Sequence, residues 1–309
     1  MRVVVVGIDG TIGGALASHL TMRGHDVFGT TRRTSRIDEK NYYLNLSESQ
    51  LRLVDFPNSD AVVFCAAMTA LSECRHDPVV ARRINVDAPL ELARHTHSRG
   101  AQNIFLSTSA VFDCLAPRMS ASRPHDPRGV YGALKSEAEQ RMMQLSRTAV
   151  IRLTKVITEN WHLIDKWQTL LMSGAPVHAF VEHSFSPIMI GDALVAATYA
   201  IEHRADGVFQ VSAANDITYL QAARWLANQL GRSQELVVPV NPTDYIPKQE
   251  IKRYTSLDCE RLSRLTGFCS INGEETLSRV VRRPLSSPPV GPWHGAVSQW
   301  SSDTPSETL

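Results

Sequence analysis

Four consecutive valines, residues 3–6, run without a polar partner and stop at Gly7. A strand with one wet face alternates, whereas an unbroken apolar strand belongs in a sheet covered on both sides, as helices cover a parallel sheet. The pattern recurs: residues 26–30, 61–65, 103–107 and 148–153 read as further strands, with a weaker one at 42–46. Helical spacing lies between them, with Ile12, Leu16 and Leu20 after the first strand and then stretches over 79–98 and 131–145. Repeated strand–helix order predicts an α/β fold built on a doubly wound parallel sheet, Rossmann-like in its plan.

The first strand-to-helix turn carries "GIDGTIGG", with glycines at 7, 10 and 13. Glycine permits a tight turn and close approach of backbone to a ligand. A helix opening near Thr11 would aim unpaired amide groups and the positive end of its dipole at a phosphate. The spacing is G-x-x-G-x-x-G, not the G-x-G-x-x-G of dehydrogenase domains, so two readings stand. One is a cradle for a dinucleotide's pyrophosphate; the other is a corner where strand and helix merely pack closely. Position favours the cradle. At the end of the second strand, where an NAD site needs a carboxylate, the chain reads Thr30, Thr31, Arg32, Arg33. Two guanidinium groups there suit a ribose 2′-phosphate, so NADP(H) is preferred over NAD(H), against the plainer reading of a solvated basic loop.

Downstream, "YGALK" places Tyr131 and Lys135 at i, i+4, on one face of a helix. An ammonium beside a phenol stabilises phenolate and lowers its pKa, so the tyrosine can pass a proton to a carbonyl oxygen as hydride reaches the carbon. The strand "NIFLSTS" delivers Ser107, Thr108 and Ser109 to the carboxyl edge of the sheet, where open α/β folds bind ligands. Alternatively those hydroxyls serve only the local backbone.

Beyond residue 155 the rhythm loosens. Residues 160–173 and 192–203 read as helices, 207–212 as a strand, and 219–230 as a helix closed by Gly231. A last helix has Ser256 or Asp258 as candidate caps and Gly267 as its stop. The expected division is a dinucleotide-binding domain over 1–155 and about 187–213, a smaller mixed substrate-binding lobe over 156–186 and 214–283, and a Pro/Ser-rich tail at 284–309. The 32 Lys+Arg against 31 Asp+Glu leave a formal net charge of +1, which points to neither a nucleic-acid partner nor a membrane surface. Five cysteines form no CxxC pair and no zinc spacing with the histidines, so no metal is expected. No apolar stretch approaches a membrane span, and the chain starts directly in a strand without a signal peptide's core; it reads as cytoplasmic and reduced.

Taken in order, "GIDGTIG", "DAVVFCAAMTALSECRHDP" with "IN" at 84–85, "LSTSAVFD", "YGALK", "FSPIMIGD" and "RYTSLDCERL" resemble the extended short-chain dehydrogenase/reductases, specifically the dTDP-4-dehydrorhamnose reductase (sugar nucleotide-binding) branch, over roughly residues 1–270. The resemblance implies that Tyr131 is the proton donor, that Lys135 holds the nicotinamide ribose, and that Thr108 is the catalytic hydroxyl. It places Gly7, Gly10, Thr11, Ile12 and Gly13 on the pyrophosphate, Thr31, Arg32 and Arg33 at the adenosine ribose, and Leu46 beside the adenine. Ala66, Ala67 and Met68 would line the cofactor, with Asn85 supporting them. Ser109 and Arg253 would meet the nucleotide-sugar substrate, Arg253 at its diphosphate.

Departures are visible as well. The acid that the branch carries after the threonine is missing from "TSAVFDC", which argues against dehydratase chemistry, and Lys155, Trp161 and Trp167 stand where the sugar pocket is expected. The resulting expectation is NADPH-dependent reduction of a nucleotide-linked 4-keto-6-deoxy sugar, as in polysaccharide biosynthesis. A sugar-nucleotide epimerase and a non-catalytic NADP-binding regulatory subunit are the alternatives. Dimers are common in such families, and a homodimer is possible.

Overall fold

The computed structural model describes residues 1–281; the stretch at 284–309, expected to be a tail, lies outside the described residues. The first half runs β1 (Arg2–Val6), α1 (Thr11–Met22), β2 (Asp26–Thr31), β3 (Asn41–Tyr43), β4 (Ala61–Phe64), α2 (Leu71–His76), α3 (Pro78–Arg82), α4 (Ala88–Ser98), β5 (Gln102–Thr108), α5 (Val130–Met142) and β6 (Thr148–Leu153). The second runs β7 (Lys155–Ile157), α6 (His162–Met172), β8 (Val177–Phe180), β9 (Ser184–Phe185), β10 (Pro187–Met189), α7 (Ile190–Glu202), β11 (Gly207–Val211), β12 (Ile217–Thr218), α8 (Tyr219–Gln229), β13 (Val237–Val240), α9 (Glu260–Thr266) and α10 (Gly273–Ser278).

Seven strands form one sheet in the order β11-β6-β5-β4-β1-β2-β3, every neighbouring pair parallel. The valine run explains itself here. Val3 and Val5 face one layer, with Leu16 and Leu20 of α1 and Ala196 and Ala200 of α7. Val4 and Val6 face the other, with Leu90 and Leu92 of α4 and Ala138 and Met142 of α5. All four valines are fully buried, each contributing about 1.5–3 kcal/mol of apolar burial, so none of the four positions suits a polar residue, and only the exposed Arg2 at the start of β1 is charged. The expected helix at 79–98 is broken by a wide π turn at Arg83–Asp87 between α3 and α4, a feature that often marks functional sites.

After β7 the chain builds three small two-stranded sheets, β10 with β7, β12 with β9 and β13 with β8. A separate apolar cluster joins them, including Trp167, Phe180, Tyr219 and Leu226. Trp167 is therefore core. Trp161 packs its ring edge-on against Phe185, with centroids 5.6 Å apart. Strand β11 returns to the large sheet beside β6. Helix α9 begins at Glu260 with Cys259 as its N-cap and no side-chain cap, so neither expected residue fills that position: Asp216 holds the Ser256 hydroxyl at 2.5 Å, and Asp258, one residue before the N-cap, accepts from the Glu260 amide at 3.0 Å. Gly231 and Gly267 close their helices with positive φ.

Candidate functional site

The glycine corner is two things at once. Gly7 has φ +88°, and a Cβ there would stand 2.7 Å from the Ala66 Cβ; one on Gly13 would stand 2.2 Å from the Gly7 carbonyl oxygen. Those two glycines are demanded by packing. Gly10 is not: its nearest neighbour would be 3.5 Å away, and it gives α1 no side-chain cap. No side chain caps the first-turn amides of this twelve-residue helix, the arrangement that receives phosphates. Thr11 and Ile12 open that helix, and Ile12 lines the cleft.

Asp9, inside the same turn, was not anticipated. Its carboxylate accepts from the buried Thr31 hydroxyl and from Arg36, each at 2.5 Å. The Thr31 hydrogen bond, then the Arg36 and Arg33 charges, hold it below the usual carboxylate range, although burial pushes it the other way. Thr31 is therefore a brace for the turn. Arg32 and Arg33 stand exposed at the end of β2, and among the described residues no salt bridge ties either.

After β4, Ala67 lines the cleft, and Ala66 and Met68 pack on the core. The buried Asn85, in the π turn, clamps Met68 at both backbone groups: its Oδ1 accepts from the Met68 amide and its Nδ2 donates to the Met68 carbonyl, both at 3.0 Å. The wide turn is what aims the amide side chain at the loop. Leu46 is 6% exposed and sits in the core layer beneath β3 and β4.

A cleft of about 590 Å³ opens at the carboxyl ends of β1, β4, β5 and β6, and it brings together Ile12, Ala67, Ser107, Thr108, Ser109, Tyr131 and Lys135. The Thr108 hydroxyl accepts from the Ala110 amide at 3.2 Å, so the local-backbone reading of this residue is met. A hydroxyl that accepts there still has its own proton to donate. Ser109 is buried on the same wall.

The structure sets the Lys135 ammonium over Phe105. Its Nζ lies 3.7 Å from the ring centroid, and burial pulls the Lys135 pKa down to about 7, with Glu139 and Cys65 offsetting part of the loss. The Tyr131 phenol is pushed above its ordinary value by burial, with the Cys74 thiol adding to it. The i, i+4 geometry shares a face, and on it the ammonium is desolvated and faces an aromatic ring.

Behind this wall lies a buried network that the sequence reading missed. Glu139, one turn past Lys135, accepts from Ser107 Oγ at 2.7 Å and from Arg152 Nε at 2.9 Å. Arg152 also meets Gln210 at 3.2 Å and the His125 ring at 2.8 Å. Burial would raise the Glu139 carboxyl, yet hydrogen bonds from His125, Arg152 and Ser107 and the Arg152 charge hold it at about 2. An arginine inside the otherwise apolar "TAVIRL" was the available signal.

The far wall comes from the smaller lobe: Thr154, Lys155, His183, Ser184, Tyr219, Lys252 and Thr255. Arg253 is exposed and is not on it; its neighbour Lys252 is. No helix among the described residues is long and apolar enough to cross a membrane.

Comparison with known proteins agrees with this plan. A dTDP-4-keto-6-deoxy-D-glucose reductase of Streptomyces niveus is 27% identical over 261 residues, which cover 83% of this chain and 88% of the relative. Methionine adenosyltransferase 2 subunit beta of Bos taurus is 24% identical over 278 residues, covering 85% and 82%. Among solved structures, the dTDP-4-dehydrorhamnose reductase of Bacillus anthracis in complex with NADP superposes with a TM-score of 0.77 at 20% identity, covering 90% of this chain and 98% of that one. MoeE5 in complex with UDP-glucose and NAD gives 0.76 at 20% identity, covering 90% and 97%. Both share the Rossmann-like α/β fold seen here. Residues 1–285 match the RmlD substrate binding domain, and the chain belongs to that family.

Proposed function

We propose that the protein is an NADPH-dependent oxidoreductase that reduces the keto group of a nucleotide-linked 4-keto-6-deoxy sugar. The carrying observation is the convergence of Thr108, Tyr131 and Lys135 in one cleft that Ile12, in the first turn of α1, also lines. The chain's own residues fit a nicotinamide dinucleotide. The Gly7–Gly13 turn leaves room and amide donors for two phosphates, Arg32 and Arg33 are free to meet a 2′-phosphate, and Asn85 holds the Ala66–Met68 loop against the nicotinamide half.

A bound nicotinamide supplies hydride to the carbonyl carbon. Tyr131 gives the proton to the carbonyl oxygen; burial keeps its phenol protonated at neutral pH, as a donor requires. Thr108 donates its free hydroxyl proton to the same oxygen, stabilising the charge that grows there. Lys135, over the Phe105 ring on the same face of the cleft, is the residue that would hold the cofactor ribose. The smaller lobe grips the nucleotide sugar.

Likeness to the bovine adenosyltransferase subunit favours a second reading, a non-catalytic NADP-binding regulatory subunit. One experiment separates them: NADPH oxidation with a 4-keto nucleotide sugar, in wild type and in Tyr131→Phe. The reductase reading expects steady oxidation, cut by about 10²–10⁴-fold in the variant while NADPH affinity survives. NADPH binding without turnover on any sugar supports the regulatory reading, and interconversion without net oxidation supports an epimerase.

A further inference from the structure

The residues that end β2 and follow it, Thr31, Arg32 and Arg33, include no acid, yet a carboxylate stands at that strand end. It is delivered by Asp9, from the turn before α1. Two bonds sew this turn to the strand: the Gly7 amide donates to Thr30 Oγ1 at 3.1 Å, and the Ile8 amide donates to the Thr30 carbonyl at 3.1 Å. The next side chain, Asp9, then reaches Thr31, the last residue of β2. Thr31 is 2% exposed; its hydroxyl donates to Asp9 Oδ2 at 2.5 Å and accepts from the Arg33 amide at 2.9 Å. One run of hydrogen bonds therefore links the backbone of the arginine pair to the Asp9 carboxylate.

That carboxylate is open to a ligand. Its side chain is 20% exposed, and each oxygen takes one printed bond, Oδ2 from Thr31 and Oδ1 from Arg36, leaving each a lone pair for a further donor. The Thr31 hydrogen bond, ahead of the Arg36 and Arg33 charges, keeps it ionised. In a dinucleotide site the adenosine ribose lies between the glycine turn and the end of the second strand, and an acid from that region accepts the 2′-hydroxyl. Here the turn supplies the acid and the residues after the strand supply cations. A ribose hydroxyl gains a charged acceptor. A ribose phosphate meets Arg32 and Arg33, which no salt bridge ties among the described residues, together with one fixed negative charge.

We propose that Asp9 is a specificity-determining residue for the cofactor: its carboxylate accepts the 2′-hydroxyl of NAD(H) and opposes the 2′-phosphate of NADP(H). Cofactor preference is then the balance of one anion from the glycine turn against the two guanidinium groups beyond β2. This role rests on the nicotinamide-dinucleotide reading above.

The test is equilibrium binding of NADPH and NADH to the full chain at one fixed salt concentration, in wild type and in Asp9→Asn. That variant keeps the shape of the side chain and an acceptor for Thr31. It should raise the ratio of the NADH Kd to the NADPH Kd at least fivefold, NADH losing affinity and NADPH gaining it. Adenosine 2′,5′-bisphosphate and 5′-AMP should divide in the same way, because they present the ribose edge without the nicotinamide. A smaller rise in the ratio, or an equal loss of both cofactors, overturns the role and leaves Asp9 a brace for the turn. Should Asp9→Asn fail to fold, Asp9→Ser removes the charge and is judged by the same ratio. A wild-type chain that binds neither dinucleotide overturns the cradle itself, whereas binding of both with an unmoved ratio overturns the part given to Asp9 alone.

Discussion

Glu139 accepts a hydrogen bond from Ser107 at 2.7 Å, and this single contact joins the two elements that carry the proposed chemistry. Ser107 precedes Thr108 on β5; Glu139 follows Tyr131 and Lys135 on α5. Arg152, on the neighbouring strand, completes the buried pair. The residue that ties the catalytic strand to the catalytic helix is thus itself buried, 2% exposed, and ionised.

Removing that charge leaves the buried Arg152 guanidinium without a counter-ion, with only the neutral Ala121 carbonyl and Gln210 amide and the His125 ring beside it. Glu139→Gln should lower stability by about 3–5 kcal/mol in urea unfolding at pH 7. The folded carboxyl, at about 2, lies below its ordinary 4.5, so its contribution is fully present above pH 4.5 and is lost as pH falls toward 2. The variant should lack that portion of acid sensitivity. A variant as stable as wild type would mean the pair is not closed as described.

Lys135 differs in that its charged form is the one the fold disfavours. Its folded pKa of about 7 lies below 10.5, so between those values the unfolded chain binds a proton that the fold does not. Stability therefore rises with pH across that window, and below it the fold carries the full cost of a buried ammonium. Lys135→Met should stabilise the cofactor-free protein most at pH 6–7, with the gain shrinking toward pH 10. A pH-independent gain would show that the ammonium is solvated.

The two glycines of the corner should part company. Gly13→Ala drives a methyl into the Gly7 carbonyl and should cost about 1–3 kcal/mol or more. Gly10→Ala has space and an ordinary backbone, φ −79°, so the melting temperature should hold while NADPH affinity falls more than about tenfold, because the methyl occupies the phosphates' place. Unchanged affinity in Gly10→Ala would reduce the turn to a packing corner.

Arg32 and Arg33 bear on cofactor choice. Replacing both by Ala should raise the Kd for NADPH by about tenfold or more, a charge-assisted hydrogen bond being worth about 1.5–3 kcal/mol, and change that for NADH far less. Equal weakening of the two cofactors would remove the 2′-phosphate from the argument.

The sheet and its order of elements were legible because they rest on local pattern. Unbroken apolar runs, helical spacing and glycine at a turn are properties of neighbours in sequence, and β1, β6 and the closing Gly231 and Gly267 follow from them. That Thr108, Tyr131 and Lys135 line one cleft could also be anticipated, since the first stands at a strand end and the other two on one helical face. What the tertiary structure alone decided depends on which distant groups share a dielectric. That the Lys135 ammonium lies over Phe105 is a matter of burial, not of i, i+4 spacing. Arg152 looked like a strand residue until Glu139, thirteen positions earlier in the chain, was seen beside it. In the irregular segment at 251–255 no period tells adjacent side chains apart, so only packing against His183 turns Lys252, and not Arg253, toward the cleft. Sequence pattern specifies the backbone because hydrophobic burial is periodic along the chain; the site's electrostatics come from contacts between segments far apart in it, and those exist only once the chain has folded.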